Sequence, residues 1–112
     1  MFQVAGGCGL GALDAAKEKN AWGIGVDADQ SYVNNRVLTS AQKKVDVSVF
    51  TAIKNLMAGK FAAGTNVTND IANGGIGYGK IGPAGLKFAP QIQKVYNEIK
   101  SGQISNIPNT VP

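Results

Sequence analysis

The chain opens with short apolar runs separated by glycine or polar breaks. This pattern predicts a strand over Phe2–Ala5, a helix over Gly9–Asn20 and a second strand over Trp22–Val26. A cluster of glycines fills the turn between the first strand and the helix, and Asp27 follows the second strand directly. The order strand, glycine turn, helix, strand and carboxylate is typical of an α/β unit whose strand ends face a ligand.

The rest of the pattern predicts two more strands and two more helices. In chain order the expected elements are a short strand over Val37–Thr39, a long helix that Ser40 caps and that runs to Ala58, a strand over Thr65–Ile71, a glycine-rich loop over Asn73–Pro83 and a helix over Leu86–Lys100. Prolines predict an irregular tail from Ile104 to Pro112, because proline cannot join a helix interior.

Length and composition allow a single domain with a hydrophobic core. The chain has 112 residues, of which 44% are hydrophobic, and its mean hydropathy is −0.04. No apolar run approaches the ~18 residues that suggest a membrane-spanning helix. The formal charge of +4 is spread over scattered residues, with Lys43-Lys44 as the main local concentration. Because the basic residues form no stripe with interleaved aromatics, the sequence predicts no nucleic-acid partner.

The chain contains no histidine and a single cysteine, Cys8. These counts exclude Ser-His and Cys-His nucleophilic pairs and His-metal sites built within the chain. The sequence therefore predicts no enzyme, no metal site and no cofactor. Asp27 and Asp29 form the one close pair of carboxylates that stands out. Near a strand end, we interpret them as one ligand-facing acid and one turn-forming or helix-capping acid.

The glycine turn fits two classes of ligand. Gly7-x-Gly9-x-x-Ala12 matches the dinucleotide fingerprint, with Asp27 lying about 20 residues on, where its ribose-binding acid belongs. The same geometry fits a sugar or nucleoside in a periplasmic-type binding protein, where a carboxylate at a strand end accepts hydroxyl hydrogen bonds. Glycines also allow a helix to pack closely on a strand without any ligand. The spacing alone leaves all three interpretations open.

Four motifs in a fixed order separate these interpretations. They are Phe2-Gln-Val-Ala-Gly-Gly-Cys-Gly-Leu-Gly11, Gly23-Ile-Gly-Val-Asp-Ala-Asp-Gln-Ser-Tyr32, Val37-Leu-Thr-Ser-Ala-Gln-Lys-Lys-Val-Asp-Val47 and Asn73-Gly-Gly-Ile-Gly77. Together they resemble the basic membrane protein family, the bacterial lipoproteins that bind purine nucleosides for ABC transporters. The resemblance implies an extracytoplasmic solute-binding component that binds a purine nucleoside, meets a transporter permease and is lipid-anchored at the cell membrane. The alternative is a dinucleotide-binding half-domain of an oxidoreductase.

The resemblance also implies an architecture. Residues 1–112 are expected to be a single fragment with second-lobe and crossing segments of a two-lobe protein, and the glycine-rich segment at 73–82 is expected to cross between lobes. The expected fold is α/β, with a small, mostly parallel sheet flanked by helices, as part of a type I periplasmic-binding-protein fold. The sequence shows no signal peptide, and Cys8 lies outside any lipid-accepting context. Apolar faces left uncovered in such a fragment favour self-association.

The resemblance assigns roles at the ligand site to individual residues. Asp27 resembles the family's acid that accepts hydrogen bonds from ribose hydroxyls. Lys43 resembles its ribose-contacting lysine, with Lys44 as the register alternative. Gly6 and Gly7 are expected to offer backbone groups beside the ligand. The aromatic side chains that stack on the purine are expected largely from sequence outside this chain, so the fragment is expected to carry half a site.

Overall fold

This computed structural model describes residues 1–108, which contain one three-stranded sheet. Strands β1 (Gly23–Asp27) and β2 (Val37–Lys43) are parallel, and β3 (Ile76–Tyr78) pairs antiparallel with the other edge of β2. This arrangement confirms the predicted α/β class with a small, mostly parallel sheet flanked by helices. The end of the predicted irregular tail, 109–112, lies outside the described residues.

Three helices accompany the sheet within residues 1–108. They are α1 (Gly9–Glu18), α2 (Val45–Met57) and α3 (Ala89–Lys100). The small core forms where α1 packs on β1, and its buried apolar side chains are Leu13, Ala16, Val26 and Val37. Gly23 allows this packing, because a Cβ atom there would lie 2.6 Å from Leu13 Cδ2. Helix α1 therefore fixes β1 in place.

The predicted strand over Phe2–Ala5 is wrong beyond its first residues. Phe2 forms an isolated parallel bridge with Ile24, and the Ile24 N–H donates to Met1 O at 2.8 Å. The next N–H on this side of the segment, that of Ala5, donates to the Gln3 side chain at 3.0 Å instead of to β1. A side-chain acceptor has thus replaced the strand ladder.

The predicted helix cap at Ser40 is also wrong. Strand β2 continues through Ser40 to Lys43, and Ser40 is fully buried, with its Oγ accepting a hydrogen bond from the Gln30 N–H at 3.0 Å. Residues 41–43 keep strand geometry because β3 pairs with them. Helix α2 begins at Val45 instead. Strand β3 lies within the segment that was expected to be only a glycine-rich loop.

The segment predicted as a strand over Thr65–Ile71 is irregular and passes into a turn at Ile71. Polar side chains explain the difference. Asn73 Nδ2 donates to Thr68 O at 2.8 Å, and the Asp70 and Asn73 side chains each accept a hydrogen bond from the other residue's N–H. Such local bonds compete with the bonds of a sheet, and they favour turns over strands.

Two helix boundaries differ from the predicted ones. Helix α1 ends at Glu18 and not at Asn20, which adopts a left-handed φ of 53°. Helix α3 begins at Ala89, because the preceding residues Pro83–Phe88 form a 3-10 turn and Pro90 occupies the first turn of the helix. Within residues 1–108, none of the helices has the length and apolar character that crossing a bilayer requires.

Helix α2 turns a row of apolar side chains toward solvent. We call this row the α2 apolar face, and its members are Val45, Val49, Phe50, Ile53, Leu56 and Met57. The least exposed of them, Val49, is 52% exposed. The whole face is therefore available for contact with another segment or another chain.

Candidate functional site

Two charged side chains meet at the carboxyl edge of the parallel strands. Asp27 is the last residue of β1 and Lys43 the last residue of β2, and the register pairs Asp27 with Gln42. Lys43 Nζ lies 2.7 Å from Asp27 Oδ1. The structure therefore brings together the two side chains that the sequence singled out. In open α/β sheets, ligands bind outside this carboxyl edge.

This ion pair adds little to the stability of the fold. The Asp27 side chain is 49% exposed and the Lys43 side chain 69% exposed, so water screens their attraction. Exposed pairs of this kind typically contribute ~0–1 kcal/mol. A ligand can replace part of the pairing at low cost. The carboxylate offers only acceptors and the ammonium only donors, which together match a group that both donates and accepts, such as a hydroxyl.

The backbone at Asp27 is strained. Its φ is 69°, a left-handed value that residues other than glycine seldom adopt. The Ala28 N–H donates to Val26 O at 2.9 Å, so Asp27 occupies the centre of a three-residue turn. Turns of this kind with positive φ are rare and strained. Such strain persists only where surrounding structure holds it, and it is concentrated at functional sites.

Gly6 and Gly7 lie in a short 3-10 turn, Gly6–Cys8, that leads into α1. The parallel bridge between Phe2 and Ile24 shows that residues 1–5, which we call the first segment, run in the same direction as β1, so this turn follows on the side of the sheet edge that carries Asp27. Open space surrounds the Cβ position of both glycines, and Gly6 has a φ of 54°. The first N–H groups of a helical segment have no acceptor within it, so they are suited to meet a ligand oxygen.

The two adjacent lysines point to different neighbours. Lys43 pairs with Asp27, whereas the Lys44 side chain crosses Gly77 of β3, where its Cε would lie 3.5 Å from an added Cβ. The Lys44 N–H donates to Gly75 O at 2.8 Å and joins the start of α2 to the start of β3. An open depression of about 270 Å³ adjoins both lysines. This volume lies below the ~300–1,000 Å³ of a typical ligand pocket.

Asp29 serves the loop after β1. Its Oδ1 accepts a hydrogen bond from the Ser31 N–H at 3.0 Å, which is the turn-forming contact expected for this acid, and its Oδ2 accepts one from the Lys80 N–H at 3.3 Å. Partial burial opposes ionisation, but these hydrogen bonds and the Lys80 charge outweigh it and lower the pKa of Asp29. Asp29 therefore ties the loop to the segment after β3 as a carboxylate.

Sequence reasoning missed a buried polar group beneath this edge. Gln3 is 5% exposed and Ser40 0% exposed, and Gln30 lies between them. Gln3 Nε2 donates to Gln30 Oε1 at 2.8 Å. Gly9 and Gly25 accommodate these side chains, since a Cβ at Gly9 would overlap the Gln3 amide and one at Gly25 would lie 2.7 Å from Gln30 Oε1. The signal available in the sequence was Gly25, a glycine inside a predicted strand, which often marks a close approach by another segment.

The role of Gly9 weighs against the dinucleotide interpretation. In the dinucleotide fingerprint the second glycine lets the backbone approach the pyrophosphate. Here that glycine, Gly9, is buried, and the space at its Cβ position is filled by the Gln3 side chain. Its conformation serves internal packing.

In residues 1–108, no three His, Cys, Asp or Glu side chains come together as a potential metal site.

Solved structures share this fold over nearly the whole chain. A transcriptional activator of the comK gene from Bacillus halodurans superposes with a TM-score of 0.82 at 22% identity, covering 96% of this chain and 38% of its own. A solute-binding protein of an ABC transporter system from Aeropyrum pernix K1 superposes with a TM-score of 0.71 at 24% identity, covering 97% of this chain and 40% of its own. The fold is thus part of that of an ABC solute-binding protein.

Sequence comparison narrows this class to a family. A family model described as ABC transporter substrate-binding protein PnrA-like, Bmp, matches residues 1–110. The ABC transporter nucleoside-binding protein BmpA of Lactococcus lactis subsp. cremoris is 32% identical over 94% of this chain and 35% of its own length. Basic membrane protein D of Borreliella burgdorferi is 43% identical over 51% of this chain and 18% of its own length. The chain belongs to the Bmp family, and it spans about a third of the length of BmpA.

Proposed function

We propose that this chain is part of the extracytoplasmic solute-binding component of an ABC transporter and that the protein binds purine nucleosides. The match of residues 1–110 to the Bmp family carries this proposal. The name of the Lactococcus lactis relative, a nucleoside-binding protein, supports the choice of ligand. The protein works by binding and release and not by catalysis, with a transporter permease as its partner and a lipid anchor at the outer face of the cell membrane.

Asp27 and Lys43 are the proposed ribose ligands. Two neighbouring ribose hydroxyls donate to the Asp27 carboxylate, which is acceptor-only when ionised. The Lys43 ammonium donates to a hydroxyl oxygen and neutralises the carboxylate, from which it lies 2.7 Å away in the free chain. Their exposure leaves both side chains accessible. Backbone N–H groups at Gly6 and Gly7, in the turn that leads into α1, are the proposed source of further polar contacts to the ligand.

The chain supplies only part of a closed site. The exposed carboxyl edge offers charged and backbone groups, and the adjoining depression is open and small. Purine recognition needs a stacking surface and exclusion of water, which the proposal places in the remaining length of the full protein. We therefore expect the 112-residue chain alone to bind nucleosides weakly, because a few polar contacts barely offset the loss of ligand freedom.

The test uses a full-length context. The segment of Lactococcus lactis BmpA that matches this chain is replaced by this chain, and we call the product the BmpA chimera. Calorimetric titration with inosine, guanosine and adenosine is compared with titration by NAD, after circular dichroism and thermal melting have established folding. We expect nucleoside binding without NAD competition. NAD binding in place of nucleosides would favour the oxidoreductase half-domain, and a folded chimera that binds neither would contradict both functions.

A further inference from the structure

The side-chain amides of Gln3 and Gln30 lie between the first segment and β1, next to the strained turn at Asp27. The regular parallel ladder from Phe2–Ile24 would next use the Val26 N–H. That N–H donates instead to Gln30 Oε1 at 3.1 Å, and Gln3 Nε2 donates to the same oxygen at 2.8 Å. The Gln30 side chain therefore ends the ladder at Val26, one residue before Asp27. Its amide oxygen accepts the hydrogen bond that the first segment would otherwise accept from the Val26 N–H.

Gln30 is itself fixed from the other side. Its N–H donates to the Oγ of Ser40, which is fully buried in β2. Its side chain fits over Gly25, where a Cβ would come within 2.7 Å of Gln30 Oε1 and 2.6 Å of Ser40 Oγ. The residue thus joins three segments: the first segment through Gln3, β1 through Val26 and β2 through Ser40.

These contacts surround the turn that directs the Asp27 carboxylate. Val26 is held by Gln30 through its N–H and accepts the turn-closing bond from Ala28 through its carbonyl. Both backbone groups that precede Asp27 are therefore committed. Without the Gln30 acceptor, the Val26 N–H loses its hydrogen bond. The strained φ of 69° at Asp27 is then restrained by fewer contacts.

We propose that Gln30 is a positioning residue for the ligand site: its amide, anchored by Gln3 and Ser40, holds the strained turn that points Asp27 toward Lys43. The ion pair itself is too exposed to impose this geometry, so the restraint comes from the buried side. The expected effect of Gln30 on nucleoside binding rests on the proposed role of Asp27 as a ribose ligand. The expected effect of Gln30 on the turn at Asp27 can be tested in the chain without a ligand.

The first experiment needs no ligand. In the 112-residue chain, Gln30→Met keeps the side-chain length and removes the acceptor. NMR then measures the Asp27 one-bond Cα–Hα coupling, which distinguishes positive from negative φ, and the NOE between the Asp27 β protons and the Lys43 ε protons. We expect the coupling to shift toward that of an ordinary negative φ and the NOE to be lost. A folded variant that keeps both signals overturns the proposal, even if nucleosides bind nowhere on the protein.

A matched control lies at the far end of the same loop. The Asn34 side chain donates to Leu13 O at 3.2 Å and accepts from the Arg36 N–H at 3.0 Å. Asn34→Leu therefore removes loop hydrogen bonds of the same kind without touching the turn at Asp27. This variant is expected to keep the wild-type coupling and NOE. Equal loss in both variants would mean that any loosening of the loop disturbs Asp27, which overturns a specific role for Gln30.

A milder variant covers the case in which Gln30→Met fails to fold. Ser40→Ala removes only the acceptor of the Gln30 N–H, and Thr39→Val removes the neighbouring hydroxyl, which donates to Gly79 O at 3.2 Å. We expect Ser40→Ala to weaken the Asp27–Lys43 NOE and Thr39→Val to leave it intact. The reverse order of effects, or no effect of Ser40→Ala, contradicts the proposal.

The second experiment measures binding in the BmpA chimera. A residue that acts through Asp27 should change discrimination of the ribose, so inosine is compared with 2′-deoxyinosine. We expect Gln30→Met to reduce the preference for inosine about as far as Asp27→Ala does, roughly tenfold. In a double-mutant cycle the two changes should be non-additive. Full additivity, or an unchanged preference in Gln30→Met, contradicts the positioning role. If the wild-type chimera binds no nucleoside, the proposed function fails and the NMR result alone decides the role of Gln30.

Discussion

Lys43 Nζ lies 2.7 Å from Asp27 Oδ1 and joins the ends of two neighbouring parallel strands. Parallel pairing produces this meeting, because it places both carboxyl ends at one edge. The residues are far apart in the chain, and neither is fixed by burial. An exposed acceptor and an exposed donor are therefore presented together where α/β sheets bind ligands.

Removal of either charge should weaken nucleoside binding with little effect on folding. A hydrogen bond to a charged group contributes ~1.5–3 kcal/mol, or roughly ten- to a hundredfold in affinity. We expect that loss for Asp27→Ala and for Lys43→Ala in the BmpA chimera, measured by calorimetry. The free energy of unfolding should change by less than about 1 kcal/mol, because the pair is exposed.

Lys44→Ala is the matched control for that experiment. It removes the same charge one residue further along the chain, where the side chain crosses Gly77 and does not reach toward Asp27. Its effect on affinity should be below about threefold, or ~0.7 kcal/mol. A larger loss for Lys44→Ala than for Lys43→Ala would make Lys44 the ribose ligand.

Asp29 should make stability depend on acid pH. Its pKa is lowered below the ordinary value of about 3.9 by hydrogen bonds from the Ser31 and Lys80 N–H groups, against the opposing effect of partial burial. The folded state therefore binds this proton less readily than the unfolded state does. The resulting stabilisation is fully present above the unfolded pKa and is lost as pH falls through the folded pKa.

Urea unfolding at several pH values tests this expectation. The stability difference between the wild-type chain and Asp29→Asn should be constant above about pH 5 and shrink below about pH 4. Asp14→Asn is the control, since Asp14 is exposed on α1. A difference that stays constant down to low pH would show that the Asp29 carboxylate is not specially stabilised. Nucleoside affinity in the chimera should change little, because Asp29 is engaged with the loop.

The sequence predicted the parts of the fold that depend on local pattern. The apolar face of α1, strand β1 and the acid at its end follow from spacing and turn residues. Pairing Asp27 with Lys43 required the family resemblance, because no local pattern says which strand lies beside β1. The resemblance assigned both residues to one ligand, and the structure shows that their strands are parallel neighbours and that the side chains are in contact.

Non-local pairing explains what the sequence did not predict. Ser40 has the chemistry of a helix cap, yet Gln30 supplies its Oγ with a donor and makes burial in a strand acceptable. Strand β3 depends on pairing with residues 41–43. A glycine-rich sequence gives no local pattern that predicts this pairing. The segment at 65–71 has strand-forming residues, but local hydrogen bonds that involve Asp70 and Asn73 compete with strand pairing and leave it irregular.

Two glycines of α1 should respond in opposite ways to alanine. A Cβ at Gly9 overlaps the Gln3 amide, whereas nothing lies within 4 Å of a Cβ at Gly11. We expect Gly9→Ala to lower the free energy of unfolding by ~1–3 kcal/mol through overpacking. Gly11→Ala should raise it by ~0.5–1 kcal/mol, because alanine favours the helix. Urea unfolding of the chain measures both, and equal effects would contradict the packing of Gln3 beneath Gly9.

The 112-residue chain should self-associate through the α2 apolar face. Phe50 is 68% exposed and Ile53 53% exposed on this face. Packing this face against a second copy of the chain removes apolar area from water. We expect the mean mass from light scattering to rise between micromolar and millimolar protein. Ile53→Lys should suppress the rise, since burial would then desolvate a charge. Thr51→Lys adds the same charge at an exposed polar position of the helix and should leave association unchanged. A chain that stays monomeric throughout, or an equal effect of both lysines, would show that this face does not drive association.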